Sequence, residues 1–330
     1  MEKIPDIAFS SRIRLARNVK GYPFPTVDDH YVSDIVKPVY QSLNKLGRFH
    51  LYHMGKLSAL EKNVLREKHL ISTDLTNHQS GAALISEDER ISVMVNEEDH
   101  VREQCLMPGF RLEEAFSVLD KVDDALSDKI EFAYDTRYGY LTSCPTNVGT
   151  GMRASVMLFL PALTMTRKIT AVIHAVSRER ITVRGVYGEG SSAEGAMFQL
   201  SNQISLGNTE SYILRHVYDT VLKISEAEIS ARNELLARDE LALKDRVRRA
   251  YGTLTHAVIL SSREFMQLFA DVKLGVQMGL LPFQNAGLLD DVVVKMQPAN
   301  ITLMAGRELS PRERDAYRAE YVSKALLSLG

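Results

Sequence analysis

Two short apolar runs, Ala82-Ala83-Leu84-Ile85 and Ile91-Ser92-Val93-Met94-Val95, are separated only by the polar stretch Ser86-Glu87-Asp88-Glu89-Arg90. Runs this short, bounded by polar turns, read as strands. A parallel pairing would need a crossover of a dozen or more residues, so so short a connection points to antiparallel neighbours. Gly139-Tyr140-Leu141-Thr142 and Ile181-Thr182-Val183 repeat the strand texture. Between the strand runs lie helical patterns over Arg111 to Leu126 and over Arg153 to Val176, the latter interrupted by Pro161. A further helix is expected near Val32 to Leu46. The expected fold class is α+β, a mainly antiparallel sheet flanked by helices. From Glu210 to Arg249 the chain is rich in Ala, Leu, Glu and Arg, with Ile213, Val217, Val221 and Ile224 at helical spacing. Few strand signals follow. The sequence therefore divides into residues 1–231 and a helical C-terminal domain, 232–330.

A chain of 330 residues can bury a large core, and its formal net charge of -2 gives no global attraction to nucleic acid or to an anionic membrane. Any anion site must be built locally. Two cysteines, Cys105 and Cys144, are too few for a disulfide framework. The start lacks an apolar signal region, and no uncharged stretch approaches the roughly 18 apolar residues of a membrane span. A cytoplasmic protein is expected. No His-rich spacing suggests a protein-held metal.

Chemistry concentrates in three segments. Ser143-Cys144-Pro145-Thr146-Asn147-Val148-Gly149-Thr150-Gly151-Met152-Arg153 sets a cysteine in a polar turn whose glycines permit unusual backbone angles. By itself it also describes a buried cysteine beside an ordinary turn. Asn96-Glu97-Glu98-Asp99-His100-Val101-Arg102 and Arg184-Gly185-Val186-Tyr187-Gly188-Glu189-Gly190-Ser191 each follow a strand and carry carboxylates with an arginine. The first equally fits a solvated loop, and the second a mobile glycine loop able to close over a ligand. Ser10-Ser11-Arg12-Ile13-Arg14 places two arginines two apart, on one face of an extended segment. Arg12, Arg14, Arg102, Arg153 and Arg184 all lie in or beside turn segments. Arginine, rather than lysine, suits bidentate recognition of phosphate oxygens.

Asn96 to His100, Cys144 to Asn147 and Ser10 to Arg14 resemble the signature segments of the guanidino (phosphagen) kinases. The resemblance is tighter to their bacterial protein-arginine kinase branch, running from Ser10 to near the C-terminus through Leu141 to Gly151 and Arg184 to Ser191. It implies that Arg12, Arg14, His69, Arg102, Arg153 and Arg184 contact ATP. Ser10, Ser11, Ile13, Ala154, Ser155, Val156, Met157, Gly185, Val186, Tyr187, Gly188 and Glu189 would line or adjoin that site. Glu98 and Glu189 would hold the acceptor guanidinium, with Cys144 beside it. His69 is singled out by the resemblance alone. Mg²⁺ would bridge phosphate oxygens.

A guanidinium is a poor nucleophile because it stays protonated. With a pKa of ~13.8, freeing its lone pair at pH 7 costs about 9 kcal/mol. Proton removal should therefore accompany phosphoryl transfer, and Glu98 is the expected base. Cys144 would tune the electrostatics rather than attack covalently. Only nine residues precede Ser10, where small-guanidine kinases carry an additional helical domain, so a more open pocket that admits a protein-borne arginine is expected. Free arginine, or a non-catalytic phosphoarginine-binding adaptor, are the alternatives.

Ser310-Pro311-Arg312-Glu313 reads as a capping box with proline at the first helical position. Arg314 and Arg318, one turn apart, share a face beside Asp315. This also describes a surface helix with a local ion pair. Arg314-Asp315-x-x-Arg318-Ala319 resembles the phosphoarginine-binding motif of the same branch, where it serves self-activation. The resemblance further implies damaged proteins and stress-response regulators as substrates, marked for the ClpC–ClpP protease. It also implies a small zinc-binding activator protein and a homodimer formed through the helical domain.

Overall fold

The structure is a computed structural model that describes residues 7–25, 30–185, 193–283 and 287–329. The chain opens with β1 (Ala8–Arg17), α1 (Val32–Leu46), β2 (Phe49–His53), α2 (Ala59–Glu67) and α3 (Thr73–Asn77). It continues through β3 (Ala82–Ser86), β4 (Ile91–Val95), β5 (Val101–Pro108) and α4 (Leu112–Ser127). A small ribbon of β6 (Tyr134–Asp135) and β7 (Gly139–Tyr140) precedes β8 (Met152–Phe159), α5 (Pro161–Met165), α6 (Ile169–Ser177), β9 (Ile181–Gly185) and β10 (Met197–Asn202). Helices α7 (Glu210–His256), α8 (Ser262–Gln277), α9 (Leu288–Lys295), α10 (Pro298–Ala305) and α11 (Pro311–Leu329) complete it.

Eight strands form one sheet in the order β2-β3-β4-β5-β1-β8-β10-β9, every neighbouring pair antiparallel. The short β3–β4 connection pairs as its length requires. Register then decides which side chains meet. Ile13 and Leu15 of β1 share a face with Cys105 of β5 and with Ala154 and Val156 of β8. That face is dry and packs against α1, α4 and α7. The alternate positions form the opposite, polar face.

The span from Arg153 to Phe159, expected to begin a helix, instead belongs to β8. This strand lies between β1 and β10, so Ala154, Val156, Leu158 and Met157 are all buried. Coverage on both faces erases the alternation that marks a half-buried strand, and a continuous apolar run cannot tell strand from helix. Helix begins only at Pro161, which occupies the first turn of α5. The run Gly139 to Thr142 contributes two strand residues, and β5 and β10 were not anticipated.

The division near Ala231 falls inside a continuous helix. α7 crosses it and leaves helical geometry only at Asp239 (φ −165°, ψ 85°), whose Oδ1 accepts the Ala242 amide at 2.9 Å and restarts the helix. Two apolar clusters lie on either side. The second combines Leu243, Val247, Phe265, Phe269 and Val322 with Met157, Phe159, Ala196 and Met197 from the sheet end. The C-terminal helices thus share core with the sheet.

Candidate active site

Strand alternation lifts Arg12 and Arg14 onto the polar face of β1. Antiparallel register then delivers their neighbours: Ser155 opposite Arg12 and Arg153 opposite Arg14 on β8, and Gln104 opposite Arg14 on β5. Arg102 lies one step along β5, opposite Ala16. Gln199 of β10 pairs with both Met157 and Arg184. Five arginines from four strands therefore share one face of the sheet, from β5 across to the edge strand β9.

They are crowded and poorly paired. Arg12 Nη2 donates to Gln199 Oε1 at 3.1 Å, and Arg153 Nη2 to Ser201 Oγ at 3.2 Å. The Nε atoms of Arg14 and Arg153 are buried without a hydrogen-bond partner. Burial, with Arg102 and Arg153 adding repulsion, pushes the Arg12 guanidinium down to about 10. Burial together with Arg12, Arg102 and Arg153 lowers Arg14 further, against weak help from Glu97. Arg153 is lowered by burial, then by Arg184 and Arg102. Buried donors without acceptors are costly, and a compact cluster of guanidinium forks supplies what a polyphosphate lacks in water-free surroundings. The residues fit ATP phosphates. Among the described residues, Arg102 is the one of the five with a carboxylate partner, both oxygens of Glu97 at 2.5 and 2.6 Å.

A cavity beside this patch is lined by Ser10, Arg12, His69, Leu106, Ser155, Met157 and Gln199. His69 adopts φ 60° as the residue just past the α2 C-cap, its amide bonded to the Arg66 carbonyl and the Leu70 amide to the Leu65 carbonyl, both at 2.9 Å. Burial, then the charges of Arg12 and Arg66, hold its imidazole down to about 4, so it is neutral at physiological pH.

The acid segment Asn96 to His100 turns from β4 into β5 at the rim. Glu98 is half-buried there and within hydrogen-bonding reach of Cys144. Burial raises its carboxyl, Asp99 and Glu97 add to the rise, and Arg102 and Cys144 oppose it. Cys144 Sγ is 3.0 Å from Thr146 Oγ1, and the Thr142 hydroxyl donates to the Cys144 carbonyl at 2.8 Å. Arg153 is near enough to both Glu98 and Cys144 to feel their charge. Glycine is required twice in this loop. A Cβ on Gly149 (φ 113°) would lie 2.8 Å from the Leu206 backbone, and one on Gly151 (φ 67°) 2.5 Å from the Ala16 carbonyl.

Asp99 and Asn18 tie the two loops together, and neither stood out in the sequence. Asp99 Oδ1 accepts the Asn18 side-chain amide and the Ser143 backbone amide, both at 2.6 Å. Asn18 Oδ1 accepts the His100 amide at 2.9 Å. His100 Nδ1 accepts the Val19 amide, which leaves Nε2–H to donate to the Pro23 carbonyl. The one available clue was their adjacency to residues that did stand out, since both are buried polar groups that require partners.

Several expected lining residues point elsewhere. Ser11, Ile13, Ala154 and Val156 have their side chains on the core face, fully buried, because consecutive strand residues alternate. Ser11 Oγ there donates to the Gly109 carbonyl and accepts the Arg111 amide, both at 2.8 Å. Arg17 is on that face too, bidentate to Asp123 at 2.7 and 2.9 Å and stacked 3.6 Å above the Tyr140 ring. Ser10, Ser155, Met157 and Gly185 do occupy the polar face or its edge strand. Val186, Tyr187, Gly188 and Glu189 lie outside the described residues. No group of three or more His, Cys, Asp or Glu able to hold a metal occurs among the described residues.

The fold of this chain is shared with known enzymes. Residues 31–231 match the family model for the ATP:guanido phosphotransferase C-terminal catalytic domain, and residues 240–330 match that for the protein-arginine kinase McsB C-terminal domain. The protein-arginine kinase of Caldanaerobacter subterraneus subsp. tengcongensis is 46% identical over 328 residues, covering 97% of both chains. The chain belongs to the ATP:guanido phosphotransferases, in their protein-arginine kinase branch. The Bacillus subtilis protein-arginine kinase is 43% identical over 97% of this chain and 90% of its own. Among solved structures, the substrate-free duplicated taurocyamine kinase of Schistosoma mansoni superposes with a TM-score of 0.60 at 25% identity. The match covers 69% of this chain and 35% of that duplicated one. A lombricine kinase at 23% identity and TM-score 0.60 shares the fold, over 68% of this chain and 67% of its own. This branch of the guanido phosphotransferases adds the helices that α7 leads into.

On α11 of this family member the capping box forms: the Ser310 amide donates to Glu313 Oε2 at 2.8 Å, and the Glu313 amide to Ser310 Oγ at 3.3 Å. The expected shared face of Arg314 and Arg318 does not present both to solvent. Arg318 is 1% exposed, donating to the carbonyls of Leu260 (2.7 Å) and Met296 (3.2 Å) and to Asp315 Oδ1 (2.7 Å). Ala319 is equally buried. Arg314 and Asp315 remain half-exposed, with Arg314 Nη1 donating to the Leu309 carbonyl at 3.0 Å. One helical turn at this position crosses from surface to core, because α11 packs on α7, α9 and α10.

Proposed function

We propose that this protein transfers the γ-phosphoryl group of ATP to arginine side chains of other proteins. The observation that carries the reading is the five-arginine face with orphaned buried donors, opening at its rim onto Glu98 and Cys144. The relatives' name, protein-arginine kinase, supplies the acceptor.

ATP would bind through Arg12, Arg14, Arg102, Arg153 and Arg184, with His69, Ser10, Ser155 and Met157 along its side, and would supply the phosphoryl group. Mg²⁺, when bound, would neutralise phosphate charge from the ligand's own oxygens. The arginines preorganise positive charge where negative charge develops, so little reorganisation accompanies transfer. Glu98 takes the proton from the attacking guanidinium nitrogen. Its raised affinity for a proton suits that role, and the neighbouring Arg102 favours its ionised form. Burial works against an ionised Glu97, but the Arg102 charge together with hydrogen bonds from Ser72, the Glu98 amide and Arg102 itself lowers its carboxyl overall. Glu97 thereby holds the Arg102 fork in place. Cys144 and Glu98 approach the acceptor from adjoining loops, and Glu189 is assigned to the other guanidinium nitrogens. Residues 1–231 carry this chemistry and 232–330 regulation, with Arg314 and Asp315 the accessible part of a phosphoarginine site and Arg318 its internal brace. Targeting of products to ClpC–ClpP, a zinc-binding activator, a homodimer and a cytoplasmic location complete the reading. Consistent with the last, no helix among the described residues is long and apolar enough to cross a membrane.

The test is intact-mass analysis of an arginine-containing acceptor protein after incubation with Mg-ATP, beside free arginine and the Glu98→Gln variant. The expected outcome is an acid-labile phosphate on protein arginine, with the variant slower by about 10²- to 10⁴-fold. Phosphorylation of free arginine alone would replace the protein acceptor with a small guanidine.

A further inference from the structure

Glu67, the last residue of α2, reaches into the C-terminal helices. Its Oε1 accepts the Ala299 amide, and its Oε2 accepts both the Asn300 amide and Asn300 Nδ2, each at 2.9 Å. These amides belong to the first turn of α10. That helix has no side-chain cap of its own from Gln297, and Pro298 has no N–H to donate. A carboxylate more than two hundred residues away in sequence caps it instead, with the helix dipole in its favour.

The residues that follow are pinned one after another. Lys68 Nζ donates to both carboxylate oxygens of Glu89, at 2.7 and 2.9 Å. The His69 carbonyl accepts Gln104 Nε2 at 2.7 Å, and the Leu70 carbonyl accepts the Ser92 hydroxyl at 2.5 Å. His69, between these ties, holds its φ of 60° and lines the cavity with Arg12 and Gln199. The far end of the clamp is also anchored. Arg318, buried in α11, donates to the carbonyl of Met296, just ahead of α10. Glu67 is close enough to help keep Arg318 charged against its burial, after the larger contribution of Asp315.

We propose that Glu67 is a positioning residue. Its clamp on the N-terminus of α10 holds the His69 backbone at the ATP pocket, so that the C-terminal helices set nucleotide affinity. The left-handed turn at His69 closes α2 through its own backbone, the His69 amide bonding to the Arg66 carbonyl and the Leu70 amide to the Leu65 carbonyl, both at 2.9 Å. The ties to Glu89, Gln104 and Ser92 fix that turn against the sheet and its β3–β4 connection. Glu67, the last residue of α2, adds a tie that depends on the C-terminal helices. The proposal rests on the nucleotide reading of the arginine face, which the experiment checks separately.

The experiment uses the full chain as wild type, Arg12→Ala, Glu67→Gln and Asn300→Ala. Titration calorimetry measures Mg-ATP binding, steady-state kinetics separates KM from kcat, and amide hydrogen exchange follows the peptide spanning 66–71. Glu67→Gln is expected to weaken ATP binding and raise its KM by roughly tenfold, the range of an ordinary coupling energy. Exchange at 66–71 should quicken while kcat stays within about twofold. Asn300→Ala, which leaves the helix amides bound, should shift both readouts the same way by less. Unchanged KM and unchanged exchange in Glu67→Gln, even with a lowered melting temperature, would overturn the proposal and leave Glu67 a structural cap. If Arg12→Ala binds ATP as wild type does, the nucleotide reading fails instead.

Discussion

At the residue scale, the site is a set of charges held where they would rather not be. Arg14 is depressed by burial and by three other arginines, so relieving one charge should relieve the fold. Arg14→Met is expected to raise the melting temperature of the free protein while abolishing the further rise that Mg-ATP gives the wild type. Differential scanning fluorimetry with and without nucleotide measures both, and a lower unliganded melting point would contradict the argument. Glu98 has the opposite problem. Burial raises its carboxyl above the ordinary glutamate range, and only its ionised form accepts a proton. Turnover should therefore fall as pH drops through that raised value, at a pH above where an unperturbed glutamate titrates. A profile of kcat/KM against pH for wild type and for Cys144→Ala checks this. Losing the thiol, which favours the ionised form, should move the acid limb to higher pH. Arg12 and Arg14 were legible in the sequence because alternation alone sorts them from Ile13. The side chains of Ser11, Ala154 and Val156 were not sorted, because a contiguous motif takes no account of which way each strand residue faces. Asn18 and Asp99 were illegible for a plainer reason. Their importance is the bond between them, and their positions are 81 residues apart.

At the element scale, helices with an amphipathic stripe declared themselves, as α1 and α4 did, and the Ser310–Glu313 cap was readable letter by letter. Caps supplied from a distance were not. Glu67 serves α10, and Glu228 serves α5: its carboxylate accepts the amides of Ala162 (3.0 Å) and Leu163 (2.9 Å) and pairs with Arg232 Nε at 2.9 Å. Glu228→Ala would leave Arg232 buried beside two uncapped amides, and should cost about 3–5 kcal/mol. Urea unfolding of the variant measures it, and a loss below about 1 kcal/mol would mean that water replaces the carboxylate. β8 concealed itself by being central. From Val156 to Phe159 it is apolar and buried on both faces, so the element carrying Arg153 and Ser155 reads as a continuous apolar run that does not tell strand from helix.

At the scale of the whole molecule, two family models meet near Asp239, yet the core does not divide there. Met157, Phe159, Ala196 and Met197 of the catalytic half pack within the C-terminal cluster. α7 runs through both halves, and Glu67 bonds across them. Calorimetry of the intact chain should therefore show one cooperative transition, with the van't Hoff and calorimetric enthalpies equal. Two resolved peaks would mean that the shared residues do not couple the halves. The change of texture read near residue 231 falls inside α7, and no sequence pattern there shows that the seam is glued. The gluing residues belong to the sheet and carry no mark of their distant partners.

The position of β1 has a consequence for how such a chain is made. It is among the earliest elements in sequence, yet it is placed between β5 and β8. Ser11 bonds to Gly109 across 98 residues, and Ser155 to Arg12 across 143. During synthesis at about 5–20 residues per second, β1 must wait several seconds for the first of these partners and longer for the second. Its arginines, unsuited to burial alone, keep the waiting strand soluble and poorly disposed to pair with copies of itself. The charges that would later grip a polyphosphate thus first serve as a safeguard for an unfinished sheet.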